Sequence, residues 1–201
     1  MIAPTTPHLR LENRHTGELL IIRRVDRDGD PILELRGSLP PHREGPPMHV
    51  HYLEDEEGLV TTGTLSADVG GRRVHARVGE KVQLPRGVPH RWWNGGEDLL
   101  EFEGSVHPIA DFDRYVQAVF EVMNAGAPNR PPLFYLAHAA LRHRQTQAAM
   151  VMPPALQAVL FRVVVAVGTL LGRYRGTTWP GCPARCPGAP PLASEDAVRA
   201  V

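Results

Sequence analysis

Two periodicities divide the chain. Up to about residue 107, short runs suited to strands are separated by turns rich in Gly, Pro and Asp. The runs are residues 18–25, 31–35, 57–69, 73–78, 81–84 and 99–107, and Asp28-Gly29-Asp30 and Val69-Gly70-Gly71 are among the turns. Many short strands at regular spacing predict a sandwich or a barrel. From Asp111 the apolar positions fall at helical intervals instead: Phe112, Tyr115, Val116, Val119 and Phe120, with Asp111 as N-cap and Asn124-Ala125-Gly126 as a stop. A second helix is expected after Pro131-Pro132, over residues 133–145, and a third after Pro153-Pro154, over 155–175. Beyond Arg175 the chain is rich in Gly, Pro and Cys, and this composition predicts disorder.

Composition narrows the picture only modestly. The 201 residues suffice for one domain plus an appendage, and 22 basic side chains balance 22 acidic ones, so nothing points to a nucleic-acid binder. The amino-terminal residues lack a basic region followed by an apolar run, so a cytoplasmic location is the default expectation. Cys182 and Cys186 lie in the Pro-rich tail without nearby histidines, a poor zinc site that reads as two free thiols. Charge is uneven along the chain: after about residue 128 every basic residue is an arginine, opposed only by Glu195 and Asp196.

The chemistry concentrates between His49 and Asn94. His49 and His51 sit in an extended stretch, and a strand sends residues i and i+2 to the same face about 7 Å apart, so both imidazoles lean toward one point. Glu56 follows the acidic stretch Leu53-Glu54-Asp55, read here as a short turn, which makes three ligands from one hairpin. His90 opens an aromatic strand after a turn marked by Pro85 and Gly87. Three imidazoles and one carboxylate suit iron, manganese, nickel, copper or zinc, with Fe(II) slightly favoured.

These residues resemble the two motifs of the cupin superfamily. The second is complete, with Gly79, Pro85, Gly87, His90 and Asn94 in register. The first runs His49, His51, Glu56, Gly63 and departs only at its leading glycine, where Arg43 stands and Gly45 lies nearby. The resemblance implies a mainly β protein: a double-stranded β-helix, or jelly-roll, barrel over residues 1–108 whose interior holds the metal. A helical extension over 109–175 and a tail over 176–201 would follow, an order similar to that of bacterial single-cupin proteins with a C-terminal helical extension.

Other side chains are weighed around that site. Trp92 shares strand parity with His90 and is expected to line a substrate pocket or simply to fill the core, whereas Trp93 points outward or into a subunit contact. Arg86, in the turn before His90, is either a contact for an anionic ligand or a solvated turn residue. Glu101 and Glu103 are expected on the outer face of their strand, and His75 on a solvated face. His138 and His143, five apart on the expected second helix, fall on different sides and carry little weight, as do His8, His15, His42 and His107.

The segment 155–171 is apolar on nearly all sides, interrupted by Gln157, Arg162 and Thr169 and followed by Arg173 and Arg175. Burial against the barrel or across a homodimer interface is the first expectation, peripheral membrane contact through residues 155–175 the second, and a membrane span the third, disfavoured by Arg162 in mid-stretch. For function, two classes stay open. One is a mononuclear metal-dependent oxidoreductase, dioxygenase-like, acting on a small organic substrate. The other is a small-molecule binding or sensing module, docked through its helices to a partner or membrane.

Overall fold

A computed structural model describes residues 9–128 and 130–174. Ten strands come first: β1 (Leu9–Glu12), β2 (Leu19–Arg27), β3 (Asp30–Leu39), β4 (His49–His51), β5 (Asp55–Thr62), β6 (Thr64–Val69), β7 (Arg72–Arg77), β8 (Lys81–Leu84), β9 (His90–Asn94) and β10 (Leu100–His107). They are followed by α1 (Phe112–Ala125), α2 (Leu133–Arg142), β11 (Gln147–Ala149) and α3 (Pro154–Leu170). The strands form two antiparallel sheets, ordered β1-β2-β3-β10-β5-β8 and β11-β4-β9-β6-β7. The fold is mainly β with C-terminal helices, as the strand pattern and helical period predict, and it is the jelly-roll that the cupin resemblance implies.

The core follows strand parity. On β10, Leu100, Phe102 and Val106 are buried while Glu101 and Glu103 are exposed, the glutamates outward as expected. Glu101 accepts a hydrogen bond from Thr62 Oγ1 at 2.8 Å, and Glu103 pairs with Arg36 at 3.2 Å. On β9, His90, Trp92 and Asn94 all point inward. Trp92 meets Phe102 edge to face at 5.2 Å between centroids and joins the main apolar cluster that includes Leu33, Leu39 and Leu100. Trp93, of opposite parity, lies between the guanidinium groups of Arg73 and Arg91, 5.3 and 5.1 Å from its ring.

Three features differ from the sequence reading. The run 57–69 is two strands, because Gly63 adopts φ +74 and breaks the ladder. Next, β4 and β5 are not a hairpin: they lie in different sheets, joined by a corner at residues 52–54. His49 and His51 therefore project from one sheet and Glu56 from the other, so the expectation of three ligands from one hairpin is corrected. The third is a strand inside the helical extension. β11 pairs with β4 in the register Gln147↔His51 and Ala149↔His49, which seals the edge of the histidine-bearing strand.

The helices begin where the 3.6-residue period places them, but α2 ends at Arg142 and α3 at Leu170, short of the expected 145 and 175. Asp111 occupies the N-cap position of α1 but makes no capping bond with its side chain, which is turned to His143. α3 packs by Gln157, Phe161 and Gly168, mainly against α2 and not against the barrel as first expected, and leaves its outer face exposed. Among the described residues no helix is long and apolar enough to cross a membrane. The tail, with Cys182 and Cys186, lies outside the described residues.

Gly63 gives the fold its sharpest steric test. A Cβ there would stand 2.6 Å from the Leu99 carbonyl oxygen, in a backbone region that costs an L-residue about 1–2 kcal/mol by itself. Gly29, at φ +85, has nothing within 4 Å of its Cβ position. Gly63→Ala is expected to lower stability in chemical denaturation by more than Gly29→Ala, and equal losses would show that the close approach to Leu99 is not binding.

Candidate metal centre

Three imidazoles converge inside the barrel. His49 and His90 are directly opposed on neighbouring antiparallel strands, and His51 follows His49 on the same face of β4. The ring centroids of His49 stand 4.8 Å from His51 and 4.4 Å from His90, and His51 stacks on His90 at 5.0 Å. All three residues are buried, and one ligand atom from each lies within 4.8 Å of the others.

The backbone sets which nitrogen each ring offers. His49 Nδ1 lies 2.8 Å from the Pro47 carbonyl oxygen and His90 Nδ1 lies 2.9 Å from that of Val88. A carbonyl only accepts, so both rings carry their proton on Nδ1 and present the Nε2 lone pair. His90 Nε2 and both ring nitrogens of His51 are buried without a hydrogen-bond partner among the described residues. Unpaired buried polar atoms are costly, and a divalent ion is the partner that three neutral imidazoles aimed at one point fit.

Electrostatics agree with neutral rings. Burial, reinforced by neighbouring histidines, pushes His49 down to about 4 and His51 to about 2, and burial lowers His90 as well. Glu56 Oε2 lies 3.7 Å from His51 Nε2. Glu56 enters from the facing sheet, and its oxygens are not part of the three-histidine convergence. Burial first, then the charge of Glu54, lifts Glu56 to about 7.

The motif residues that are not ligands lock the loops. Asn94 Nδ2 donates to the carbonyls of Leu39 and Asp98 at 2.9 and 2.8 Å, while its Oδ1 accepts from Gly96 N at 3.0 Å. Gly87 N donates to the carbonyl of His51 at 2.7 Å, tying the turn before His90 to the first histidine strand. In the stretch where the first motif departs from its pattern, Gly45 makes a close backbone approach. Gly45 N donates to Trp92 O at 3.1 Å, and a Cβ at this position would stand 2.7 Å from that oxygen.

Trp92 is buried in the apolar core on the inward face it shares with His90. Arg86 is exposed and held by Asp55, which accepts from its backbone N at 2.8 Å and from its Nε at 2.9 Å. His75 is exposed, with Ser66 Oγ at 2.9 Å from its Nδ1.

Several residues around the centre escaped the sequence reading. Glu18 is buried on the face of β2 that also carries Leu20 and Ile22, and burial, then Glu56, lifts it to about 7. Its parity with Leu20 and Ile22 was the available signal. Glu54 is fully buried in the corner between the sheets, where it accepts from Gln147 Nε2 at 3.1 Å and from the Asp111 backbone N at 3.4 Å. Burial would raise Asp111, but hydrogen bonds from His143 and Thr146 hold it below its ordinary value. His143 is thus a buried structural partner, 2.5 Å from Asp111 Oδ2. Phe112, the first residue of α1, stacks on His51 at 5.3 Å and closes the site from the helical side.

A mainly β jelly-roll with a buried histidine triad on adjacent strands defines a small metal-competent barrel. The chain carries a cupin domain: residues 35–103 match the family model described as "Cupin domain", a span that contains His49, His51, Glu56 and His90. A curated relative, Oxidoreductase iacF of Pestalotiopsis fici, is 35% identical over 80 residues, 38% of this chain. The chain spans only 39% of that relative's length. Among solved structures, a predicted oxalate decarboxylase from Thermotoga maritima is similar at 21% identity and TM-score 0.40, covering 51% of this chain and 92% of its own. A sugar phosphate isomerase from Silicibacter pomeroyi is similar at 19% identity and TM-score 0.38, covering 45% of this chain and 60% of its own.

The buried ionisable groups make opposite demands on pH in the metal-free protein. His49 in the folded state lies below its ordinary 6.5, so its part of the stability is intact above pH 6.5 and is lost as the pH falls toward about 4. Glu18 lies above its ordinary 4.5, so its part is greatest below pH 4.5 and is lost as the pH rises through about 7. Between pH 4.5 and 6.5, His49→Gln is expected to lose melting temperature on acidification less steeply than the parent, and Glu18→Gln more steeply. Parallel profiles for all three would contradict these assignments.

Proposed function

We propose that this protein is a mononuclear metal-dependent oxidoreductase, dioxygenase-like, that acts on a small organic substrate inside the barrel. The convergence of His49, His51 and His90, with His90 Nε2 and both His51 ring nitrogens buried without a hydrogen bond among the described residues, is the observation that carries the reading. Glu56, 3.7 Å from His51, serves as the fourth ligand, its negative charge offsetting part of the cation's. The oxidoreductase name of the Pestalotiopsis fici relative agrees in class.

A bound divalent ion supplies a Lewis acid with open coordination positions, and iron in particular adds redox reactivity toward dioxygen. The chain's own residues do the rest. The Pro47 and Val88 carbonyls fix the orientation of the His49 and His90 rings, and Phe112 shields His51 from the helical side. Trp92 and Phe102 supply the apolar wall against which a flat substrate rests. We assign proton handling on the substrate to Glu18, a buried carboxyl on the interior side that burial, then the neighbouring Glu56, lifts to about 7.

Protein purified without a chelating tag is expected to carry one divalent ion per chain by elemental analysis, and His90→Ala is expected to lose it. The iron-loaded parent is expected to consume oxygen with an aromatic diol, a flavonol or a thiol. Glu18→Gln should keep the metal while turnover falls by roughly 10²–10⁴-fold. Metal binding and tight ligand binding without turnover for any ion would sink the enzymatic reading and leave a binding or sensing module.

A further inference from the structure

α3 has two apolar faces and only one of them is used. Gln157, Phe161 and Gly168 are its buried residues. Gln157 Nε2 donates to the Ala149 carbonyl at 3.2 Å, and a Cβ on Gly168 would stand 2.8 Å from the Phe134 ring of α2. This packing fixes the helix about its axis and turns the other face to solvent. That face carries Leu156, Val159, Leu160, Val163, Val167 and Leu170, which are between 42 and 87% exposed. At 100° per residue the six fall within an arc of about 100°, a continuous stripe along the helix and not a scatter of single side chains. Leu133, at the start of α2, is exposed as well, and the α2 start lies near the α3 end, where the Tyr174 hydroxyl donates to Phe134 O at 3.0 Å.

The charge around the stripe has one sign. No Asp or Glu occurs between Glu121 and Glu195, whereas Arg130, Arg142, Arg144, Arg162 and Arg173 fall in that tract. Arg162 borders the stripe on the helix, and Arg173 follows the helix end with its guanidinium 5.7 Å from the Phe134 ring. Among the described residues Arg142, Arg144, Arg162 and Arg173 make no ion pair. A second copy of α3 laid on this face would bring arginine to arginine with no carboxylate between them. A span is ruled out by length: the 17 residues of α3 rise about 26 Å, short of a hydrocarbon core of about 30 Å, and Arg162 would lie inside it. An apolar stripe flanked by arginines matches the depth profile of an anionic bilayer surface, with acyl chains below and negative headgroups at the rim.

We propose that the exposed face of α3 docks the protein onto an anionic lipid surface, the helix lying in the plane of the interface with Leu160 and Val163 inserted and Arg162 among the headgroups. The attachment is peripheral and independent of the metal centre. β11 and its pairing with β4 join the docking helix, through the Gln157–Ala149 hydrogen bond, to the sheet that carries His49 and His51.

Flotation of the full chain with vesicles tests this directly. The protein is expected to float with phosphatidylcholine vesicles containing phosphatidylglycerol, to float weakly with phosphatidylcholine alone, and to be partly released by high salt. Leu160→Ser/Val163→Ser should abolish flotation with an unchanged melting temperature, since both positions are exposed. Arg162→Glu should lower binding to the anionic vesicles by roughly tenfold. Failure of the parent to float with anionic vesicles would overturn the proposal. So would a dimer in solution that the double serine variant converts to monomer while vesicle binding is unaffected, because the stripe would then be a contact between copies. Equal flotation on neutral and anionic vesicles, unaffected by Arg162→Glu, would likewise contradict it.

Discussion

The structure turns on a cross-strand pair. His49 and His90 face each other on adjacent antiparallel strands, each anchored through Nδ1 to the carbonyl two residues before it. That local bond is short-range and set by the chain itself, and it commits both rings to presenting Nε2 inward. With His51 stacked on His90 and its ring nitrogens without a hydrogen bond among the described residues, the interior holds a set of acceptors that repel one another unless something electropositive stands between them. Much of the surrounding structure serves this arrangement. Gly87 ties the second turn to His51, Asn94 clamps the following loop, and β11 covers the edge of the short strand that carries two of the three rings.

Charge is balanced around the centre by burial as much as by pairing. Glu56 and Glu18 both lie near neutral pH in their titration, and Glu54 is held upward by burial in the corner between the sheets. Three carboxyls and three imidazoles in one interior would be a destabilising collection without a cation. In the proposed function a cation offsets this charge, the histidines and Glu56 being its ligands and Glu18 the proton-handling carboxyl. The helices extend this logic: Asp111 and His143 form a buried pair that fixes the start of α1, and so the position of Phe112 over His51.

The centre was legible in the sequence because its determinants are local motifs. The i, i+2 spacing of His49 and His51 survives in any strand, and the cupin motif supplied His90. Parity then tied Trp92 to the inward face of His90 and Trp93 to the other, and an apolar core left Glu101 and Glu103 outward. What escaped is non-local. The His143 pairing with Asp111 joins residues 32 apart, and no periodicity records it. β11 is too short to show alternation, and it forms only because β4 offers an open edge. Glu54 looked like part of an acidic turn because its burial comes from the corner between two sheets, and that corner replaced the expected hairpin. The two faces of α3 were both read as apolar. Only packing against α2 distinguishes the covered face from the free one.

X-ray absorption at the edge of the resident metal tests the central claim most directly. The account predicts a first shell of nitrogen and oxygen at about 2.0–2.2 Å, with the outer-shell scattering of three imidazoles and no sulfur. A spectrum dominated by sulfur at about 2.3 Å, or one without imidazole scattering, would place the metal elsewhere in the chain and contradict the barrel centre built from His49, His51 and His90.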